Sequence, residues 1–136
     1  MSQGNVEIVR RALDAFSRRD LRTLEDELCE DDFEFVSFFT AVDAEEATYR
    51  GAGAWRDYAA VMDEMWAAWQ LEDIALFDAG EHDVACRMRL VGEGKLSGVP
   101  VDRPVGLTYR LRHGKLWRVR SYADPAEALE AVGLSS

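Results

Sequence analysis

Few residues in this 136-residue chain have both the type and the setting for chemistry. His82 stands between Glu81 and Asp83 where a strand would begin, and His113 stands in the turn Arg112-His113-Gly114. Imidazole suits acid–base or metal work at neutral pH, but both settings are those of exposed side chains. The thiols of Cys29 and Cys86 are too far apart for a metal clip and read as small core residues. No cluster of His, Cys or carboxylates has metal-ligand spacing, so no metal is expected. Gly51-Ala52-Gly53 precedes a helix without a parallel strand before it, so a dinucleotide cofactor is not expected either. One carboxylate, Asp124, closes a strand where it could move a proton; its place before Pro125 also makes it a helix cap. It is the single candidate for a catalytic group.

The other chemistry-bearing set is cationic. All but Lys95 and Lys115 of the sixteen basic residues are Arg, in a chain whose net charge is −10. That charge repels phosphate backbones and acidic membranes, so neither nucleic acid nor membrane is an expected partner. The opening Met-Ser-Gln-Gly-Asn lacks a basic segment followed by an apolar one, and no stretch is long enough to span a bilayer, so a cytoplasmic location is expected.

The elements that must position these residues follow from periodicity. Val6, Val9, Leu13 and Phe16 recur at helical spacing between Asn5, the expected cap, and Arg19. Asp20 opens a second short helix through Leu28, and Phe33 to Thr40 reads as a strand. A loop runs to about Tyr49. After Gly51 an apolar stripe of Trp55, Tyr58, Met62, Met65, Trp66 and Trp69 predicts a long helix. Strand patterns follow over residues 72–77, 82–94, 99–112 and 116–122, and Asp124-Pro125 opens a last short helix closed by Gly133. Helices first and antiparallel strands afterwards make a single α+β domain over residues 1–136.

Turn chemistry sets the register. Ser97-Gly98 as a two-residue turn places Met88 opposite Leu107 and Cys86 opposite Tyr109; Arg112-His113-Gly114 as a three-residue loop places Tyr109 opposite Trp117 and Leu107 opposite Val119. One sheet face is then apolar. The other carries Arg87, Arg89, Arg110, Arg112, Arg118 and Arg120, with two rows, Arg89-Gly106-Arg120 and Arg87-Thr108-Arg118. So many like charges call for acids such as Glu34 or Glu72, for acids of a second subunit, or for a bound anion.

With these elements in place the chain resembles the nuclear transport factor 2-like superfamily and, within it, the SnoaL-like, polyketide cyclase-like group. The resemblance spans nearly the whole chain: the opening helix with Asp20-Leu21, Tyr49-Arg50-Gly51 before the aromatic helix, the segments 92–99 and 113–120, and the tail from Asp124 to Leu134. It implies a cone, the cystatin-like fold, in which a curved and mostly antiparallel sheet wraps around helices and encloses a pocket. Carried over, the pocket walls are Phe35, Ser37 and Phe39 of the first strand, Tyr58, Met62 and Trp66 of the helix, and Leu107, Tyr109, Trp117 and Val119 of the later strands. The resemblance also implies pairing through the outer sheet face, here that of Arg87, Arg89, Arg110, Arg118 and Arg120. The base, tyrosine and acid positions of ketosteroid isomerases of this fold land on Ser37, Ala12 and Leu107, none of which can do that work. The expectation is a binder of a small apolar, cyclic or polyketide-like molecule, or a cofactor-free cyclase, isomerase or hydrolase; the alternative is a non-catalytic dimeric module.

Overall fold

The first apolar stripe folds as α1 (Ser2–Ser17), which buries Val9, Ala12, Ala15 and Phe16 and leaves Glu7, Arg10 and Asp14 in solvent. This computed structural model describes the backbone of residues 2–42 and 45–134, and the side chains of these except 2, 3, 39–42, 45 and 46. Asn5 is not the expected cap: the helix begins earlier, and Asn5 Nδ2 donates to Glu81 O at 2.6 Å. The helix ends in a reversal in which Arg19 N donates to Phe16 O (3.0 Å) and Asp20 N to Ala15 O (2.8 Å). Arg19 occupies the left-handed position of that motif, with φ 60°, where glycine is usual. Asp20 then caps α2 (Leu21–Thr23), accepting from Thr23 N and Thr23 Oγ1. Instead of continuing as one helix, the chain widens into a π-helical turn, Leu24–Leu28, that buries Leu24 and Leu28.

Six strands follow: β1 (Cys29–Val42), β2 (Glu45–Arg50), β3 (Trp66–Asp78), β4 (Asp83–Gly94), β5 (Pro100–Arg112) and β6 (Lys115–Tyr122). The helix α3 (Ala54–Met65) lies between β2 and β3, and α4 (Pro125–Ala131) closes the chain. The sheet runs β2-β1-β6-β5-β4-β3, antiparallel except for the β1–β6 pair. It is the expected α+β architecture, a curved and largely antiparallel sheet around helices. Two local expectations fail. The loop before Tyr49 contains β2, a polar strand paired only with β1. The aromatic stripe changes structure midway, so that Trp66 and Trp69 belong to β3 and not to α3.

Both hairpin registers differ from expectation. Cys86 pairs with Leu107 and Val84 with Tyr109, two residues from the anticipated match, because Glu93 pairs with Pro100 and the loop is longer than Ser97-Gly98 alone. A slip of two preserves which face each side chain takes. At the next hairpin His113 and Gly114 form a two-residue turn, both with positive φ (56° and 72°). The ladder then shifts between Leu111–Leu116 and Arg110–Arg118, so Trp117 is an extra, bulged residue. That bulge turns Trp117 to the outer face.

One face of the sheet carries the main core with α1 and α3. The other carries α4, which seats Ala128 and Pro125 over Gly106 and buries Ala85 and Leu129. Beside α4 the arginines fall in different rows from those expected: Asp83, Arg110, Arg118, Glu34 and Arg50 are successive cross-strand neighbours. Arg110 pairs with Asp83 (3.0 and 3.1 Å) and Arg50 with Glu34 (2.9 Å). Arg89 is held by Asp102 (2.7 and 3.0 Å) and by Asp73. Much of the cationic face is thus neutralised within the chain.

These contacts give the fold an acid limit. The Thr23 hydrogen bonds hold the Asp20 carboxyl, and the Arg89 guanidinium holds that of Asp102, below the ordinary value of 3.8. Depressed carboxylates contribute stability that is complete above about pH 4 and is lost as pH falls through their folded values. Urea unfolding between pH 2 and 6 should therefore show an acid slope that Asp102→Asn reduces; an unchanged slope would remove this pair from the account.

Candidate functional site

Between the inner sheet face and the helices lies an apolar pit. Ala12, Leu13 and Phe16 of α1 line one side, Trp55 and Tyr58 of α3 another, and Phe35, Trp69, Leu71, Met88, Leu107 and Tyr109 of the sheet the rest. The enclosed space is about 30 Å³, room for a water or two and far below the few hundred Å³ of ordinary ligand pockets. Aromatic contact closes it. Phe35 meets Tyr58 edge-on at 4.6 Å and Trp55 at 5.2 Å, and Phe16 reaches Trp55, Tyr58 and Trp69 at 5.4–5.8 Å. Such pairs add about 0.5–1.5 kcal/mol each beyond area burial.

The hydroxyls of the pit are those of Tyr58 and Tyr109, beside the indole N–H groups of Trp55 and Trp69. Ser37 is fully buried and hydrogen-bonds Tyr58. Burial raises the Tyr58 and Tyr109 phenols well above their ordinary values, so both stay neutral. The two cysteines are also buried, their thiols pushed up to about 12 by loss of water. Trp55 Nε1 donates to Cys29 Sγ at 3.1 Å. Among the described residues no lining residue of the pit is a carboxylate, His, Lys or Arg, and the side chains of residues 43–46 lie outside that set. Hydroxyls of this kind can orient a ligand, whereas abstracting a carbon-bound proton requires a base.

The pit shares Phe16, Trp69 and Leu71 with a vestibule of about 220 Å³, whose other walls are Ser17, Arg19 and Gln70. Trp69 is one of these three shared walls. It sits there because β3 bulges: Ala68 and Trp69 together oppose Gly92, with Ala68 at φ 51°. A side chain on Gly92 would lie 2.9 Å from Trp69 Cα, so only glycine admits this approach. Asp63 Oδ1 accepts from both Trp69 Nε1 (2.9 Å) and Arg19 Nη2 (2.8 Å), and the Arg19 guanidinium lies 4.4 Å from the centre of the Trp69 ring.

Of the residues expected in the pocket, Phe35, Tyr58, Leu107 and Tyr109 line the pit, and Ser37 lies behind Tyr58. Met62 and Val119 are buried in the core without lining it. Trp66 is half-buried at the head of β3, its indole N–H enclosed without a hydrogen-bond partner among the described residues. The side chain of Phe39 lies outside the described residues. Trp117 is corrected: it stands on the outer face between the Arg112 and Arg118 guanidinia, 4.4 and 4.5 Å from its ring. Asp124 is corrected as well. It is exposed on the α4 side of the sheet and accepts from Ala126 N at 2.9 Å as a cap. The histidines are exposed, His113 bonded to Glu30 at 3.0 Å. Of the three positions that the resemblance assigned to an isomerase's catalytic groups, Ala12 and Leu107 line the pit and Ser37 is buried outside its lining. Sequence reasoning missed the α1 wall, although its Leu13 and Phe16 were legible as a buried stripe.

A six-stranded curved sheet with α1 and α3 on its inner face is the nuclear transport factor 2-like fold, and known structures bear this out. No family profile matches the chain and no curated protein matches it in sequence. Among solved structures, a nuclear transport factor 2-like protein of Burkholderia xenovorans superposes with a TM-score of 0.76 at 21% identity, covering 97% of each chain. TerC, co-crystallised with polyporic acid, gives a TM-score of 0.73 at 16% identity over 95% of this chain and 98% of its own. A SnoaL-like polyketide cyclase candidate of Jannaschia gives 0.70 at 19% identity over 98% and 94%.

Proposed function

We propose that this chain binds a small apolar, cyclic or polyketide-like molecule in the pit behind Trp69, and that it binds without turnover or with cofactor-free cyclase, isomerase or hydrolase chemistry. The observation that carries the reading is an aromatic and aliphatic chamber with two hydroxyl handles, Tyr58 and Tyr109, that shares the walls Phe16, Trp69 and Leu71 with an outer vestibule. The co-crystallisation of TerC with polyporic acid, and the naming of other neighbours as polyketide cyclase candidates, support the same ligand class. Among the described residues the lining holds no acid–base group, which favours binding over turnover.

A second reading, a non-catalytic dimeric module of the same fold, is favoured by the small enclosed volume of about 30 Å³. Its contact would be the outer face left open beside α4, a groove of about 390 Å³ carrying Trp117, Arg118, Arg120 and Tyr122. Titration with naphthalene, followed by tryptophan fluorescence and by Tm, separates the two. Saturable binding that Leu107→Trp abolishes by filling the pit is the expected result. No binding, together with a dimer in sedimentation that Arg118→Glu/Arg120→Glu dissociates, would replace the first reading by the second.

A further inference from the structure

The vestibule has one charged wall residue, Arg19, and its setting is unusual in three ways. Its backbone is left-handed, φ 60°, at the helix-ending position that glycine fills without cost. A non-glycine residue there is strained by about 1–2 kcal/mol, so the side chain is retained against the preference of the backbone. Its guanidinium has five N–H donors, yet among the described residues it makes a single hydrogen bond, from Nη2 to Asp63 Oδ1. And it lies on the face of Trp69, a wall common to vestibule and pit, close enough to Tyr58 to favour the charged form of that phenol.

Resting on the binding function argued above, we propose that the ligand is an organic carboxylate: an apolar ring system enters the pit and its carboxylate stays in the vestibule on the unused donors of Arg19. Planar guanidinium and carboxylate match in a two-bond fork. The nearby charges allow it. Asp63 offsets one cation, while Lys95, whose Nζ donates to Asp63 O at 3.0 Å, supplies another. The net charge of −10 opposes anions at a distance, but a Debye length of about 8 Å in physiological salt leaves the local pair in control. The same Asp63 oxygen holds Arg19 and Trp69. That shared acceptor fixes the guanidinium beside the indole, so a carboxylate on the unused donors stands next to Trp69 at the mouth of the pit.

The test uses two probes with the same ring, 1-naphthoate and 1-naphthamide, titrated calorimetrically into the full chain and into Arg19→Gly, a substitution that suits the left-handed backbone and so preserves the fold. The wild type should bind naphthoate about tenfold more tightly than the amide, a difference in reach of one charge-assisted fork. Arg19→Gly should bind both alike, because the ratio of the two affinities isolates the carboxylate from any change in the wall that both probes share. Equal affinities in the wild type, or a preference that survives in Arg19→Gly, overturn the carboxylate assignment and leave the apolar pit standing. Failure of both probes to bind the wild type overturns the pit reading together with it.

Discussion

Phe35→Ala should lower the free energy of unfolding by about 3–5 kcal/mol, a large part of what holds an ordinary domain together. Phe35 is 1% exposed and its ring meets Tyr58, Trp55 and Tyr49. Its removal forfeits the burial of a whole phenyl group and three ring contacts at once. The surroundings cannot close over the gap, because Trp55 is fixed to Cys29 and Tyr58 to Ser37 from the other side. The loss therefore belongs in the upper half of that range. A second consequence follows from the lining. The new space joins the existing pit and is walled by apolar groups, and cavities of that kind stay dry and accept benzene. Urea unfolding at 25 °C should show the loss, and millimolar benzene should raise the Tm of Phe35→Ala by more than it raises that of the wild type. A cost under about 1.5 kcal/mol without a benzene response would mean that the helices collapse onto the sheet and that no chamber exists to enlarge.

How much of this was legible in the sequence depends on which physical signal each feature uses. The inner face of the sheet was readable because side chains alternate with a period of two, and the two-residue slip between β4 and β5 leaves Cys86, Met88, Leu107 and Tyr109 on the face they were assigned. Bulges break that parity, and they mark the errors. Trp117 changes sides at a bulge that follows a tight His113-Gly114 turn, and Trp69 reaches the pit from a strand through a bulge at Ala68. Neither bulge has glycine at its left-handed or extra position, so local composition does not reveal them. The end of α3 is hidden for a related reason: Met65-Trp66 offers no glycine or proline to stop a helix, and the tertiary pairing of Trp66 with Gly94 decides it. The strand β2 was invisible because an edge strand such as Glu45–Arg50 is polar by necessity. Arg19 reads in sequence as the end of an amphipathic helix. Only the left-handed backbone and its place over Trp69 set it apart.

Gly106→Val should strip α4 from the outer face at a cost of about 3 kcal/mol, the upper end for overpacking. A Cβ on Gly106 would stand 2.7 Å from Ala128 Cβ and 2.9 Å from Pro125 Cα, distances that real contacts do not reach. The strand cannot retreat, because its neighbours Val105 and Leu107 are packed into the opposite face. Pro125 cannot yield alone, since Asp124 clamps the first turn of α4 through Ala126 N. The helix must therefore leave as a unit, exposing Ala85, Ala128 and Leu129, which are now 0–6% exposed. Protease cleavage confined to the segment after Tyr122, with naphthalene binding intact on the other side of the sheet, is the expected pattern. Ala128→Gly alone should cost about 1 kcal/mol in helix propensity. In the Gly106→Val background it should cost less or reverse sign, because it removes the nearer clash, although Pro125 keeps the rescue incomplete. A Gly106→Val protein as stable and as protease-resistant as the parent would place α4 elsewhere, and the outer groove would lose one of its walls.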